Sequence, residues 1–209
     1  MIRIRWALVG ALSPLCLLLL AALPCAAQIS CSFESGLGHN GQEIGTSITG
    51  LSFGTTTGGS MRYADINSGW YSVTSDNGKV YEDGEYFVSG DVAAYCPNLA
   101  DRGKIGFTMG TASFFSVGYS SQFGFTVDAY DSLGGLLASV TVGANAKSQG
   151  GTGLGCLTIN HSGLAYVVLH DEGGYWMVDN VSTDAPVPEP GSFVVLAMGL
   201  VALAARRRK

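Results

Sequence analysis

Four aromatic residues stand in pairs beside glycine: Trp70 and Tyr71 in NSGWYS, and Tyr175 and Trp176 in GGYWMV. Rings next to turns can stack on the C–H faces of sugars while nearby polar side chains bond the hydroxyls, which makes these four the candidate ligand-binding residues. Successive strand residues point to opposite faces, so one ring of each pair is expected to face the core. Acid–base chemistry is less well provided. Glu82, Asp83, Glu85, Asp128 and Asp171 could supply a carboxylate pair for glycoside cleavage, but separation in space decides that mechanism. The histidines are His39, His161 and His170, and neither a GxSxG elbow nor an HExxH occurs. His170 adjoins Asp171 and Glu172, yet neighbours on a strand diverge, so a solvated turn is the expectation there. No catalytic residue is assigned.

The thiols divide by position. Cys16 and Cys25 lie in the first 27 residues, leaving Cys31, Cys96 and Cys156 as disulfide candidates for at most one intramolecular bridge, with the pair left open. Spacings near sixty residues carry no CxxC logic, which argues against zinc.

The elements that must position these groups are strands. Between Gln28 and Asp184 no stretch keeps a 3.6-residue apolar period, while Gly, Thr, Ser, Val, Tyr and Phe alternate between turn signals. An all-β domain follows, a two-sheet sandwich of jelly-roll type. One hairpin is expected to begin at Gln122, with Phe123, Phe125, Val127 and Ala129 on one face, a turn at DSLGG, and Leu136, Ala138, Val140 and Val142 alternating back. A second is expected from Leu164–Leu169 through HDEGG to Tyr175–Val181, and further turns at SDNGKV and YEDGEY. GTTTGG at 54–59 reads as a flexible loop, and TDAPVPEP, Thr183–Pro190, as an extended and mobile linker.

The ends specify an address. Arg3 and Arg5, the apolar run Leu15–Leu23 and the small residues Ala26 and Ala27 form the three parts of a secretory signal peptide, with cleavage expected near Ala27. Pro24 before Cys25 argues against a lipoprotein. Net charge is −5, and all 16 acidic residues fall between Glu34 and Glu189, against Arg62, Lys79, Arg102, Lys104 and Lys147 as the cations there. That balance argues against nucleic acid and anionic membrane surfaces as partners. Gly191–Ala205 is apolar, and as a helix would span roughly 22 Å, short of the roughly 30 Å hydrocarbon core. Arg206, Arg207, Arg208 and Lys209 behind it favour the cytoplasmic side, which leaves the sandwich outside. The expected division is a signal peptide over 1–27, the sandwich over 28–184, a Pro-rich linker over 185–190, a short transmembrane helix over 191–205 and a basic tail over 206–209.

Pro188-Glu189-Pro190, the apolar segment and the Arg206–Arg208 cluster together resemble the PEP-CTERM sorting signal of exopolysaccharide-producing Gram-negative bacteria. The same type of segment is also catalogued as an ice-binding protein C-terminal domain, but no regular Thr-x-Thr ladder in the sandwich supports ice binding. The resemblance implies an exosortase as partner, transient anchoring in the inner membrane through the tail, cutting near the motif, and release to the cell surface or extracellular matrix. CSFESG, AYDSLGGLLAS and WMVDNV resemble jelly-roll carbohydrate-binding modules, in which a structural calcium often joins the first and last strands. That resemblance makes Glu34 and Asp179 the candidate calcium ligands, although calcium takes six to eight oxygens and only two carboxylates are in view. The function expected is that of an exported, non-catalytic matrix protein that binds exopolysaccharide. The alternative is a secreted polysaccharide hydrolase or lyase with a dispersed carboxylate site.

Overall fold

A computed structural model describes residues 28–34, 40–68 and 71–186. The signal peptide, Trp70, His39, the Pro188–Pro190 motif, the apolar segment 191–205 and the arginine cluster lie outside the described residues. No helix among the described residues is long and apolar enough to cross a membrane.

Among the described residues fourteen strands form, in chain order β1 (Ile29–Cys31), β2 (Leu51–Thr55), β3 (Arg62–Asp65), β4 (Val73–Ser75), β5 (Val80–Tyr81), β6 (Tyr86–Val88) and β7 (Val92–Tyr95). Then come β8 (Gly103–Phe107), β9 (Ala112–Ser121), β10 (Phe125–Tyr130), β11 (Leu136–Val142), β12 (Gly155–Leu164), β13 (Tyr166–His170) and β14 (Trp176–Thr183). Two antiparallel sheets run β12-β9-β14-β7-β3, with β1 also on β14, and β11-β10-β13-β8-β2. From β7 onward the chain changes sheet at every connection except β10–β11 and within each sheet interleaves early and late strands, which is the double Greek key of a jelly roll. The all-β sandwich read from the sequence is therefore present.

The period-two pattern sets the core. On β10, Phe125, Val127 and Ala129 are buried inward while Thr126, Asp128 and Tyr130 face out, and the strand pairs with β11 from Phe125↔Val142 to Ala129↔Ala138. The DSLGG turn closes as expected: Gly134 sits at φ 84°, and the Asp131 carboxylate accepts from the Leu133 and Gly135 N–H groups at 2.8 and 2.7 Å. Phe33, Phe53, Tyr63, Phe115, Phe125 and Trp176 interlock between the sheets, with Phe33–Phe53 and Phe33–Tyr63 edge to face at 5.6 and 6.2 Å.

Several local expectations change. β13 and β14 form no hairpin, because β13 pairs with β10 and β8 while β14 pairs with β9, β7 and β1, so HDEGG carries the chain from one sheet to the other. Phe123 leaves the inward face assigned to it because the crossover between β9 and β10 occupies Gln122–Gly124 and β10 begins only at Phe125. SDNGKV does close a hairpin, β4 with β5, but YEDGEY leads β6 to the other side of β4, where it pairs parallel. The GTTTGG segment is pinned rather than loose: Thr56 and Thr57 hydroxyls donate to the Asp101 carboxylate, and Thr55 closes the loop with Gly59. The expected linker starts later than residue 185, since Ala185 is 1% exposed and still belongs to the core.

The small sheet β5-β4-β6 covers part of the outer face of the larger sheet. Ala64, Ile66, Val73, Val88, Ala93 and Met177 make a second apolar cluster beneath it, edged by Tyr71, Tyr81, Tyr86 and Tyr95. This explains β14, where Met177 and Asp179 point away from the main core yet are buried. A bulge at Asn180, φ 48°, resets the phase so that Val178 and Val181 both face inward.

Candidate functional site

Tyr175 stands just before β14, whose first residue, Trp176, turns inward, while Met177 lies on the outer face of the strand. Trp176 is 3% exposed and packs on Phe125 at 5.6 Å, so it serves the core and offers no platform; of that candidate pair the ring open to solvent is Tyr175. Tyr175, 43% exposed, leans on Phe123, 41% exposed, with centroids 6.3 Å apart and planes tilted by 43°. Leu99 is exposed as well, in the β7–β8 connection beside Gly174. Exposed rings in contact are unusual enough on a soluble surface to need a reason.

The aromatic surface continues along the edge of the small sheet. Gln122, next to Phe123, donates from Nε2 to the Tyr86 hydroxyl at 3.0 Å. Burial, and then the negative charges of Glu85 and Asp171, push the Tyr86 phenol above its usual range. Tyr95 is the cross-strand partner of Met177, and its ring meets Tyr71 at 4.8 Å. Burial and a hydrogen bond with Tyr95 likewise raise the Tyr71 phenol, so both groups remain neutral donors at any physiological pH.

Tyr71 and Tyr95 form one wall of a concavity of about 470 Å³ that Asn40, Gly41, Arg62, Asp65 and Ser68 complete. Three of its polar groups, those of Asn40, Asp65 and Ser68, are held in place. Asn40 Oδ1 accepts from the Asp65 N–H at 3.3 Å, Asp65 Oδ1 accepts from the Asn67 N–H at 2.8 Å, and the Ser68 hydroxyl donates to the Asp65 carbonyl at 2.6 Å. Arg62 has Glu43 at 3.8 Å. A concave surface with two rings, an amide, a guanidinium, a carboxylate and a hydroxyl suits a polyhydroxylated ligand, because each hydroxyl can find both a donor and an acceptor. The other ring of that sequence pair, Trp70, adjoins Tyr71 in the chain but lies outside the described residues. Sequence reasoning missed Tyr86, Tyr95 and Phe123; YFV, VAAY and SSQFGF read as ordinary strand segments, and only the small sheet brings them together.

Glu34 and Asp179 do meet, across the segment between β6 and β7. Glu34 Oε1 accepts from the Asp91 and Val92 N–H groups at 2.8 and 2.7 Å, and Asp179 accepts from the Ser89 and Asn180 N–H groups at 2.8 and 2.6 Å. Burial foremost, helped by the charges of Glu34 and Asp76, raises the Asp179 carboxyl to about 7 even though those two N–H groups favour its anion. No group of three or more His, Cys, Asp or Glu side chains among the described residues is arranged to hold a metal ion. Calcium takes six to eight oxygens, and three of the four carboxylate oxygens of this pair already accept backbone amides. Its observed work is to fasten Ser89–Val92 to both ends of the fold.

The remaining candidates separate. His170 contacts Asp128, at 3.1 Å, in place of Asp171, and the Ser139 hydroxyl donates to the other oxygen of the same carboxylate at 2.6 Å, an order that gives no nucleophile–base contact. Asp171 holds Ser121 and the amides of Gly173 and Gly174, Glu85 holds Ser148, and Glu82 and Asp83 are exposed in the turn after β5. Tyr130 and Tyr166 also stack, at 5.0 Å and 10°, but Tyr166 has Tyr130 on one side and Lys104 Nζ over its ring at 4.0 Å, so it presents no free face. Cys31 and Cys96 are buried free thiols and Cys156 is an exposed one, so none of the three candidates is bridged in this structure.

No protein of curated function matches the chain. Among solved structures, similar ones include a carbohydrate binding module from Cellvibrio mixtus lichenase 5A in complex with cellotriose, at TM-score 0.32 and 14% identity over 76% of this chain and 95% of that one. Another is the enzymatically active domain of bacteriophage CBA120 tailspike protein 4, at TM-score 0.30 and 10% identity over 63% of this chain and 19% of that one. Neither likeness is close enough to bear on function. The tail is different: residues 186–209 match the PEP-CTERM protein-sorting motif, and the chain carries that motif directly behind its jelly roll, which marks it as exported.

Proposed function

We propose that this protein is a non-catalytic binding module for extracellular polysaccharide, delivered to the cell surface or matrix after an exosortase has acted on its tail. The observation that supports the reading is the aromatic edge, open at Phe123 and Tyr175 and ending in the Tyr71–Tyr95 concavity with its fixed polar lining. Stacking on neutral rings suits an acidic protein, because it needs no cation and costs little in an environment that repels anions. The tyrosines stay protonated, and their hydroxyls can donate to sugar oxygens. A hydrolase or lyase would need two carboxylates facing one bond, whereas Asp171, Glu85 and Asp128 are each engaged by different partners.

The test is retention of the full chain on exopolysaccharide from the producing host, with polymer length followed over time. Binding without shortening is expected, weakened about tenfold by Phe123→Ala with Tyr175→Ala, which removes two exposed rings and little of the core. Loss of polymer length, abolished by a carboxylate substitution, would establish the enzymatic alternative.

A further inference from the structure

The sorting motif begins at Pro186, and Pro186 is not yet clear of the fold. Thr183, the last residue of β14, is fully buried and donates from Oγ1 to the Phe114 carbonyl at 2.7 Å. Asp184 then clamps the start of β9: its Oδ1 accepts from the Ser113 and Phe114 N–H groups at 2.8 and 2.9 Å, and its Oδ2 accepts from the Ser113 hydroxyl at 2.5 Å. Those bonds outweigh partial burial and hold the Asp184 carboxyl below its usual range. Ala185 donates its N–H back to Thr183 Oγ1 at 3.2 Å and is buried in the main core. The Pro186 ring lies where a side chain on Gly110 would stand, 3.2 Å from that position, and its carbonyl faces the turn at Gly50.

Chain length does the rest. Glu189 lies three residues beyond Pro186, and three residue steps reach at most about 11 Å in any conformation. An enzyme that reads Pro188-Glu189-Pro190 must take the chain into a groove, and peptide grooves grip several consecutive residues by their backbone. Val187 alone stands between Pro188 and the anchored residues. Any grip further toward the N-terminus has to take hold of Pro186 and Ala185, which the sandwich holds.

We propose that Asp184–Pro186 is a strap whose release from β9 gates processing of the sorting motif by its membrane enzyme. The strap is the end of a strand with its bonds gathered on one carboxylate, so it can open locally while the sheets stay closed. The proposal rests on the reading that the tail is processed at all, and the controls separate the two.

The experiment compares processed with unprocessed chain over time in the producing host. It uses the wild type, Asp184→Ala, a Gly-Ser spacer of about six residues between Pro186 and Val187, and both changes together. Asp184→Ala should speed processing roughly three- to tenfold, the loss of a charge-assisted clamp on a partly exposed strap. The spacer should give at least that gain with the strap intact, and adding Asp184→Ala to it should give nothing more. An unchanged rate in both single variants, or slower processing with the spacer, overturns the gate. A Pro188→Ala, Pro190→Ala chain processed like the wild type would overturn the sorting reading instead. Amide exchange on the full chain in detergent decides the strap independently of the enzyme. Ser113 and Phe114 should exchange by local opening, faster than the Val127 and Leu169 amides, and faster still in Asp184→Ala. Exchange of Ser113 and Phe114 as slow as that of the core overturns the gate whatever the enzyme does.

Discussion

Asp179 is buried beneath a small sheet with two other carboxylates acting on it, and that sets how the protein responds to pH. Its folded pKa, about 7, is raised above the usual carboxylate value, so folding favours the protonated form. The stability it contributes is complete below pH 4 or so and is lost as pH rises through about 7. Asp101 has the opposite sign: burial would raise it, but hydrogen bonds from Thr55, Thr57, the Arg102 N–H and Thr56 prevail and hold it at about 2. Its contribution, with those of the likewise lowered Asp91 and Asp184, is present at neutral pH and fades as pH falls below about 4. Thermal stability should therefore peak near pH 4 and decline between about pH 4 and 7. Glu34→Gln keeps the oxygen that accepts the Asp91 and Val92 amides and removes the neighbouring charge. The Asp179 carboxyl followed by NMR should then titrate at lower pH than in the wild type, and Tm at pH 8 should rise by about 2–4 °C. An unmoved midpoint would mean that burial and Asp76, without Glu34, hold Asp179 protonated. Calcium at the same residues is tested with a chelator, which should leave Tm unchanged within about 1 °C, while a clear drop would show an ion completing the Glu34–Asp179 pair.

At the scale of elements, what could be read from the chain depended on how local the cause was. The β10–β11 hairpin was legible because the alternation of Phe125, Val127 and Ala129 and the turn residues Asp131 and Gly134 lie in one short stretch. HDEGG looks equally local, yet it is a crossover, because β14 pairs with β9, some sixty residues away. The bulge at Asn180 had no period to announce it, since its effect is to break the period. Asn is the residue type that tolerates that left-handed conformation, so Asn180→Val should cost about 1–2 kcal/mol in denaturant unfolding, and Asn180→Gly little. Equal stability of the two variants would mean that the bulge is not needed to hold Val178 and Val181 inward. The candidate site was half legible for a related reason. Tyr71 and Tyr175 stand beside glycine turns and could be singled out, whereas Tyr95, Tyr86 and Phe123 became neighbours only when the small sheet folded over Met177. Of the Tyr175–Trp176 pair one ring was expected to face the core, and the alternation along β14 makes that ring Trp176.

The whole molecule joins an address to a surface. The acidic sandwich ends on a strap tied to β9, and the sorting motif starts on that strap, so folding and export meet within a few residues of Asp184. The aromatic edge is built on the β6, β7 and β14 side of the larger sheet and on the crossovers at Gln122–Gly124 and Asp171–Tyr175, apart from the Thr183–Phe114 contact that holds the strap. Binding and processing should accordingly vary independently: rings can be removed without touching the tail, and the strap can be loosened without touching the rings. The measurement that bears most directly on function is the affinity of the full chain for its host's exopolysaccharide, taken for the wild type and for Phe123→Ala with Tyr175→Ala. Retention of the wild type, about tenfold weaker binding by the variant and unchanged polymer length are the predicted results. Equal affinity of the two proteins, or no retention of either, would contradict a glycan-binding role for the aromatic edge.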